Sequence, residues 1–405
     1  MKYVLKFGGS TIKSNLDIVR IANFIRVEID KAGEEVQLVV VVGARHGMTA
    51  ELLDEASTIC ENPPERELDA LLATGEQVVA AKLAMALMQE GLPAISMTGI
   101  QAGISTTANH REARVRKINT SRIEREIEKG QIVVVTGFQG STQDGDITTF
   151  DESYGGSDLS AILLAAALGW DCILYKDIDG IYTVNPSIFP RARKQTLLDY
   201  REAALLGSSS ADIVEAYAVE IANTFQRKIY ITSIGKGYET GTVVTSKDVK
   251  QDDAAVAIIT YKNHCCTATI YDCSNDLSQN LDVLFEKARE KEITLDVAIR
   301  EEFEESWSAT VSFDEQDTEH MQQLMEEITE GTSMKFEIRK NLSVLTLCGL
   351  GMEVQSGVVA KAVEALVSEN IKYFNITTSD ITISFVINRY DLNRAILSLS
   401  KKFKI

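Results

Sequence analysis

A lysine that closes an apolar run and is followed at once by two glycines and a hydroxyl suits phosphate chemistry, and Lys6-Phe7-Gly8-Gly9-Ser10 has that form. Glycines let backbone N–H groups approach a phosphate closely, and a lysine can neutralise charge that develops on a transferring phosphoryl group. Many strand-to-helix turns carry paired glycines for conformational reasons only, so this piece gains meaning from its company. A second glycine-rich entry, Gly155-Gly156-Ser157-Asp158, opens an apolar helix. Ser157 or Asp158 can cap that helix, and an aspartate held there can also orient a lysine and an incoming phosphate through its fixed charge. The third piece runs from Tyr175 through Lys176, Asp177, Asp179 and Tyr182 to Pro186, a strand that ends in two acidic residues and a turn. The carboxyl end of a parallel strand is where nucleotide sites form in open α/β sheets. Asp177 and Asp179 can also serve a metal, although the phosphate-bound magnesium of a kinase needs few protein ligands. Two further pieces, Ala73-Thr74-Gly75-Glu76-Gln77 and Thr98 to Ile104, say little by spacing alone.

Residues of these kinds need a frame that brings strand ends together. Up to about residue 235 the chain alternates short apolar runs with amphipathic segments, which predicts β-α units feeding a mostly parallel sheet covered by helices on both faces. Tyr3 to Phe7, Val36 to Ala44, Ala94 to Met97, Ile132 to Gly137 and Cys172 to Lys176 are short and rich in Val and Ile, as suits strands buried on both faces. Leu16 to Ala32 places Ile18, Ile21, Ala22, Ile25 and Ile29 at helical spacing, and Ser157 to Leu168 reads as a nearly all-apolar, central helix. Glycines near 235 and a polar run from Ser246 to Asp253 mark a break, so a catalytic region over 1–240 and a second region over 255–405 are expected. In the second region two α+β segments resemble each other at an offset of about 78 residues, with helices over Leu281 to Lys291 and Val358 to Glu369.

At 405 residues the chain has room for two or three compact units, and 45% hydrophobic with 25% charged residues is a globular composition. A formal net charge of -18 opposes binding to nucleic acid or to an anionic membrane surface. No unbroken apolar run approaches the roughly 20 residues of a membrane span and no signal-peptide pattern follows Met1, which predicts a cytoplasmic protein. Six cysteines without metal-ligand spacing are expected to be free thiols, and none of His46, His110, His264 and His320 sits beside a recognisable nucleophile.

In their order and context the five pieces resemble the amino-acid kinase domain of the aspartokinases. That family typically shows Lys-Phe-Gly-Gly, a mid-domain Gly-Glu, Thr-Gly-x-x-Ala-Gly, Gly-Phe-Gln-Gly (here Gly137 to Gly140), Gly-Gly-Ser-Asp and Thr-Asp-Val-Asp-Gly-Val-Tyr. Gly349-Leu350-Gly351-Met352, Gly357 to Lys361 and Ile376 to Ser384 are similar to the second ACT module of the same family, so the resemblance spans nearly the whole chain. It implies an amino-acid kinase fold followed by tandem ACT modules, a homodimer or larger homo-oligomer, and a lysine or threonine effector. The implied reaction moves the γ-phosphoryl group of ATP, with Mg2+, to the β-carboxylate of L-aspartate. Carried over by position, the resemblance gives Lys6 to transition-state charge and Asp158 to site organisation, with Thr49, Glu76 and Ser157 as substrate contacts. Gly8, Gly9 and Ser10 take the phosphates, and Asp177, Asp179, Tyr182 and Lys194 the nucleotide; no resident metal site is implied. The chain departs from the family where Tyr154 replaces an arginine that grips a substrate carboxylate, where Asp212 to Tyr217 lacks basic residues, where Asn185-Pro186-Ser187 replaces Asp-Pro-Arg, and where Asn275 to Asn280 lacks a Pro-Gly pair. Arg191 and Arg193 are candidates to compensate. A same-fold kinase for another acid and a weakly catalytic sensing paralogue are the two alternatives these departures leave open.

Overall fold

Runs such as Leu38 to Val42 and Ile132 to Val135 have no polar face, so they are stable as strands only where both sides are covered. The computed structural model describes residues 2–33, 36–151, 156–207, 214–248, 254–274, 278–291, 293–302 and 306–405, and it resolves how that covering is done. The described chain forms two compact units. The first runs to Tyr182 and resumes at Lys194 as far as Asp248; the second holds Thr183–Arg193 and the C-terminal region.

In chain order the first unit begins with β1 (Lys2–Phe7), α1 (Asn15–Ala32), β2 (Gln37–Val42), α2 (Met48–Ile59), α3 (Glu65–Leu72), α4 (Thr74–Gln89) and β3 (Ala94–Met97). It continues through β4 (Ile104–Thr106), β5 (Val115–Ile118), α5 (Ser121–Glu128), β6 (Ile132–Thr136), β7 (Gln139–Ser141), β8 (Ile147–Thr149), α6 (Gly156–Leu168) and β9 (Asp171–Lys176). Then come β10 (Leu197–Leu198), α7 (Tyr200–Gly207), α8 (Ala216–Thr224), β11 (Ile229–Ser233) and β12 (Thr242–Val244). Eight strands form one sheet in the order β10-β12-β11-β9-β1-β2-β6-β3, parallel throughout except where β11 meets β12. The strands expected from composition are all in it, and the mixed α/β architecture with a largely parallel central sheet is the one expected. β4, β5, β7 and β8 make a separate four-stranded sheet that the apolar pattern did not signal, because its strands have only three or four residues each.

The helical stripe on α1 buries Ile18, Ile21, Ala22 and Ile25 against Leu5, Val40 and Val42, and α4 adds Val79, Leu83 and Leu87 to the same core. At its start, Asp17 accepts the Ser14 amide at 2.9 Å, and Gly33 at φ 63° ends the helix in the left-handed conformation that glycine favours. The stretch Glu65–Gln89 is long and apolar enough to cross a membrane by composition, but half of its apolar window is buried inside the unit and it carries two buried carboxylates, Asp69 and Glu76. It serves here as core helix.

The second unit is built on β13 (Ile258–Ser274), α9 (Ser278–Glu290), β14 (Leu295–Glu302), β15 (Ser306–Asp314) and α10 (Thr318–Thr329), repeated as β16 (Lys335–Cys348), α11 (Val358–Ser368), β17 (Tyr373–Thr378), β18 (Thr382–Asn388) and α12 (Leu392–Phe403). The six-stranded order β14-β15-β13-β16-β18-β17 places the two copies back to back, with β13 and β16 antiparallel at the centre. Each central strand breaks its pairing at a matching left-handed residue, His264 at φ 59° and Asn341 at φ 60°, so the internal repeat extends to backbone detail. Thr183–Arg193 joins this unit: Val184 lies in its core, Ile188, Phe189 and Ala192 pack against it, and the Ile259 amide donates to the Thr183 carbonyl at 2.8 Å. A linear reading runs the catalytic region unbroken to residue 240, whereas the chain leaves the first unit after Tyr182 and returns at Lys194.

Candidate active site

Parallel pairing sets β1 between β2 and β9 with Lys6 level with Val41 and Leu174, so three strands deliver their carboxyl ends to one edge of the sheet. Phe7 stacks flat on Tyr175, its register partner on β9, with ring centroids 4.8 Å apart, and this locks the two strand ends side by side. Lys6 is the last residue but one of β1 and Lys176 ends β9, and both reach the first turn of α6. Lys6 Nζ lies 2.6 Å from one Asp158 oxygen and Lys176 Nζ 2.6 Å from the other. Lys6 and Asp158 are each 6% exposed. Burial alone would push the Asp158 carboxyl up, but the two ammonium groups outweigh it and hold the carboxyl at about 2. Burial pulls Lys6 below the ordinary lysine value; Asp158 opposes that shift and Lys176 adds to it. Two lysine side chains against one carboxylate leave basic groups in excess at a buried site, where low dielectric makes a cation act strongly on an anion.

The glycines around it are required by close approach. A Cβ on Gly8 would stand 2.3 Å from Lys6 Nζ, in the space the lysine needs to fold back onto Asp158. A Cβ on Gly137 would meet the Ser157 Cβ at 2.6 Å, and one on Gly43 the Ser157 hydroxyl at 3.1 Å, so α6 enters against bare backbone. The Gly8 carbonyl accepts the Thr11 and Ile12 amides at 3.0 and 3.1 Å and the Thr11 hydroxyl at 2.8 Å, which folds Gly9 and Ser10 into a tight turn after β1.

Beside this cluster is a cavity of about 220 Å3 lined by Gly9, Gly43 to Gly47, Thr49, Glu76, Phe138 and Ser157. It therefore brings Gly9, Thr49, Glu76 and Ser157 together. Glu76 is 4% exposed, and its Oε1 accepts the Ala44 amide at 2.9 Å, which fixes the carboxylate at the cavity wall. The nucleotide candidates form a second group beyond β9: Asp179 accepts from Tyr182 at 3.0 Å and pairs with Lys194 at 2.7 Å, and the ammonium lies 5.8 Å over the Tyr182 ring. The bond from Lys194 holds the Asp179 carboxyl below its ordinary value. Asp177 is exposed just past the end of β9, next to Lys176. A larger trough of about 540 Å3, walled by β5, α6 and α8, shares no residue with this site.

Several of these groups carried no signal in the sequence. Lys176 stands in a quoted segment but nothing in its spacing tied it to Asp158. Arg45 and His46 line the cavity although His46 reads as an isolated histidine. Asp69 is fully buried, accepts from His110 at 2.7 Å, from the Arg111 amide and from the Thr149 hydroxyl, and so anchors α3 to the end of β8 ahead of the α6 loop. Arg193, a candidate to compensate for lost basic residues, donates to the Lys404 carbonyl inside the second unit. Tyr154 and Gly155 lie outside the described residues, as do Asp212 and Ile213 and the 275–277 part of the expected effector loop. Of the thiols, Cys172, Cys265, Cys266 and Cys348 are buried and free, while Cys60 is exposed.

Comparison with known proteins follows the same division. The amino acid kinase family matches residues 1–233 and an ACT domain matches residues 345–403. Aspartokinase 2 of Bacillus subtilis is 35% identical over 404 residues, covering 99% of this chain and 97% of its own length. The aspartokinase of Geobacillus stearothermophilus is 34% identical over 403 residues, with 99% and 96% covered. Among solved structures, E. coli aspartokinase III in complex with aspartate and ADP matches the fold with a TM-score of 0.78 at 19% identity, covering 100% of both chains. Aspartate kinase from Synechocystis matches at 28% identity with a TM-score of 0.54, covering 100% of this chain and 69% of its own.

Proposed function

The chain belongs to the amino acid kinase family, within it to the aspartokinases, and from that premise we propose that its chemistry is carried by the two lysines that grip Asp158. It is an ATP-dependent kinase that transfers the γ-phosphoryl group to the β-carboxylate of L-aspartate and yields 4-phospho-L-aspartate, the entry to lysine, threonine and methionine. A carboxylate oxygen attacks the γ-phosphorus as the bond to the bridging oxygen breaks and ADP leaves. The nucleophile is already ionised, so no general base is needed and the barrier falls by positioning and charge neutralisation.

An ammonium has three donors. Lys6 and Lys176 each use one on Asp158 and keep the others for phosphoryl oxygens, while the carboxylate holds both cations in place. The observation that carries this reading is that pair of 2.6 Å contacts at the carboxyl ends of β1 and β9, beside the glycine turn. The Gly8, Gly9 and Ser10 turn cradles phosphate, Glu76 receives the substrate ammonium, Thr49 and Ser157 contact the substrate, and Asp177, Asp179, Tyr182 and Lys194 take the nucleotide. Magnesium fits as a companion of the phosphates: among the described residues no group of three His, Cys, Asp or Glu is placed to ligate an ion. Exposed Asp177 would touch such an ion, which supplies charge neutralisation on the phosphoryl oxygens when bound. The C-terminal repeat binds lysine or threonine as effector and pairs two chains in the cytoplasm. A monomeric mass by sedimentation, with and without those amino acids, would remove the dimer from this reading.

The direct test supplies MgATP, hydroxylamine and one acid at a time, and reads the trapped acyl hydroxamate. Signal with aspartate, absent with glutamate and lost in Lys6→Ala, is the expected result. Signal confined to another acid would reassign the substrate, and none from any acid would leave a sensing paralogue.

A further inference from the structure

Aspartate brings two carboxylates and one ammonium to a cavity in which Glu76 is the acidic side chain among the described lining residues. Glu76 answers the ammonium, and the reacting carboxylate must face the phosphoryl group held by Lys6 and Lys176. The second carboxylate needs a cation of its own, since an ionised group taken from water without a partner is strongly disfavoured. Both lysines are already bound to Asp158 at 2.6 Å. Among the described residues that line the cavity, the basic side chains are Arg45 and His46.

Arg45 sits in the turn between β2 and α2, and that turn is well held. Ala44 is bonded to Glu76 on one side of it, and the His46 amide donates to the Ile12 carbonyl at 2.9 Å on the other, which ties it to the phosphate loop. The guanidinium itself is only loosely engaged. It donates to the His46 carbonyl at 3.0 Å and pairs with Glu51, a carboxylate in the first turn of α2, at 2.5 Å, with 39% of the Arg45 side chain and 56% of the Glu51 side chain exposed. An exposed ion pair contributes little to stability, so its replacement by another carboxylate is close to an even exchange. The planar fork of an arginine suits a carboxylate in a way that neither lysine nor histidine matches.

We propose that Arg45 is the substrate-carboxylate clamp of this enzyme: it takes the non-reacting α-carboxylate of aspartate in exchange for Glu51 and so sets the preference for a dicarboxylic amino acid. The proposal rests on the aspartokinase reading and adds a residue that neither glycine pattern nor strand-end chemistry points to. The charge it uses is in the β2-α2 turn.

The test compares aspartate with isoasparagine, in which the α-carboxylate is an amide and the β-carboxylate is intact, in the hydroxamate assay at saturating MgATP. Wild type, Arg45→Ala, Arg45→Lys and Glu51→Gln are measured as full chains. In Arg45→Ala the KM for aspartate should rise about 10- to 100-fold, with the loss falling on KM rather than kcat and the KM for MgATP little affected. The wild-type preference for aspartate over isoasparagine should collapse by the same factor, return in part in Arg45→Lys, and hold or increase in Glu51→Gln, where the competing carboxylate is gone. An aspartate-to-isoasparagine ratio in Arg45→Ala equal to that of wild type overturns the clamp, even if KM has risen, because a merely structural role lowers both substrates alike. A wild type active on another acid but not on aspartate would instead bring down the reading beneath it.

Discussion

Replacing Lys176 by methionine keeps the length and apolar stem of the side chain and removes only its charge. Asp158 then retains one cation where it had two, each at 2.6 Å. In the wild type the carboxyl is held at about 2 against an ordinary 3.8, a difference worth about 2 kcal/mol that survives the opposing effect of burial. Without Lys176 burial is no longer outweighed and the carboxyl rises. Breaking one contact of a buried ion cluster costs about 3–5 kcal/mol when no partner remains, so with Lys6 still present a loss of about 2–3 kcal/mol at neutral pH is expected. The pH dependence has a definite sign. A carboxyl depressed in the folded state adds stability above its unfolded value near 3.9, and that stability is lost as pH falls toward 2, so the gap between wild type and variant narrows as the solution is acidified from neutral. In catalysis, removal of one preorganised donor from the developing phosphoryl charge should lower kcat by about 10²–10³-fold. Urea unfolding from pH 7 down to about pH 2, across the window in which the depressed carboxyl takes up its proton, and the hydroxamate assay at neutral pH measure the two effects separately. A Lys176→Met enzyme with kcat within a few-fold of wild type, beside an inactive Lys6→Met, would refute the argument and reduce Lys176 to a counter-ion.

Gly8→Ala places a Cβ 2.3 Å from Lys6 Nζ, and because the lysine tip can move aside, kcat should fall about 10²-fold while the unfolding midpoint changes little. Glu76→Gln retains an oxygen for the Ala44 amide and loses only charge, so KM for aspartate should rise about tenfold or more at near-normal stability. Lys194→Ala frees the Asp179 carboxyl to rise toward its ordinary value and should weaken MgATP binding several-fold, yet cost under about 1 kcal/mol of stability because both partners are partly exposed; equilibrium nucleotide binding reads the first and urea titration the second.

How far these groups could be found without coordinates depended on the range of the interaction that defines them. Lys6 with Gly8 and Gly9, and Ser157 with Asp158, are legible because a strand, a tight turn and a helix start are local events with their own residue preferences, and the strands carry the Val and Ile runs that double burial demands. The repeat in the second unit was legible for a similar reason, since each copy repeats its own periodicity. Lys176 was not, because the partner of Asp158 is decided by which strand lies beside β1, and parallel neighbours are joined through crossovers whose order no residue spacing states. The same holds for Asp69 with His110 and Thr149, three residues far apart in the chain that meet only when α3 docks on β8. The departure of Thr183–Arg193 into the other unit was hidden as well: Val184, Ile188 and Phe189 look like any apolar loop residues until a core exists to receive them. The sequence by itself determined the chemistry available, a lysine, a glycine turn, an acidic helix start and a glutamate in the order of a carboxylate kinase. Tertiary structure alone decided which charges face one another, because ion pairs and cavities form between strand ends and helix turns that packing, and not sequence proximity, brings within 3 Å.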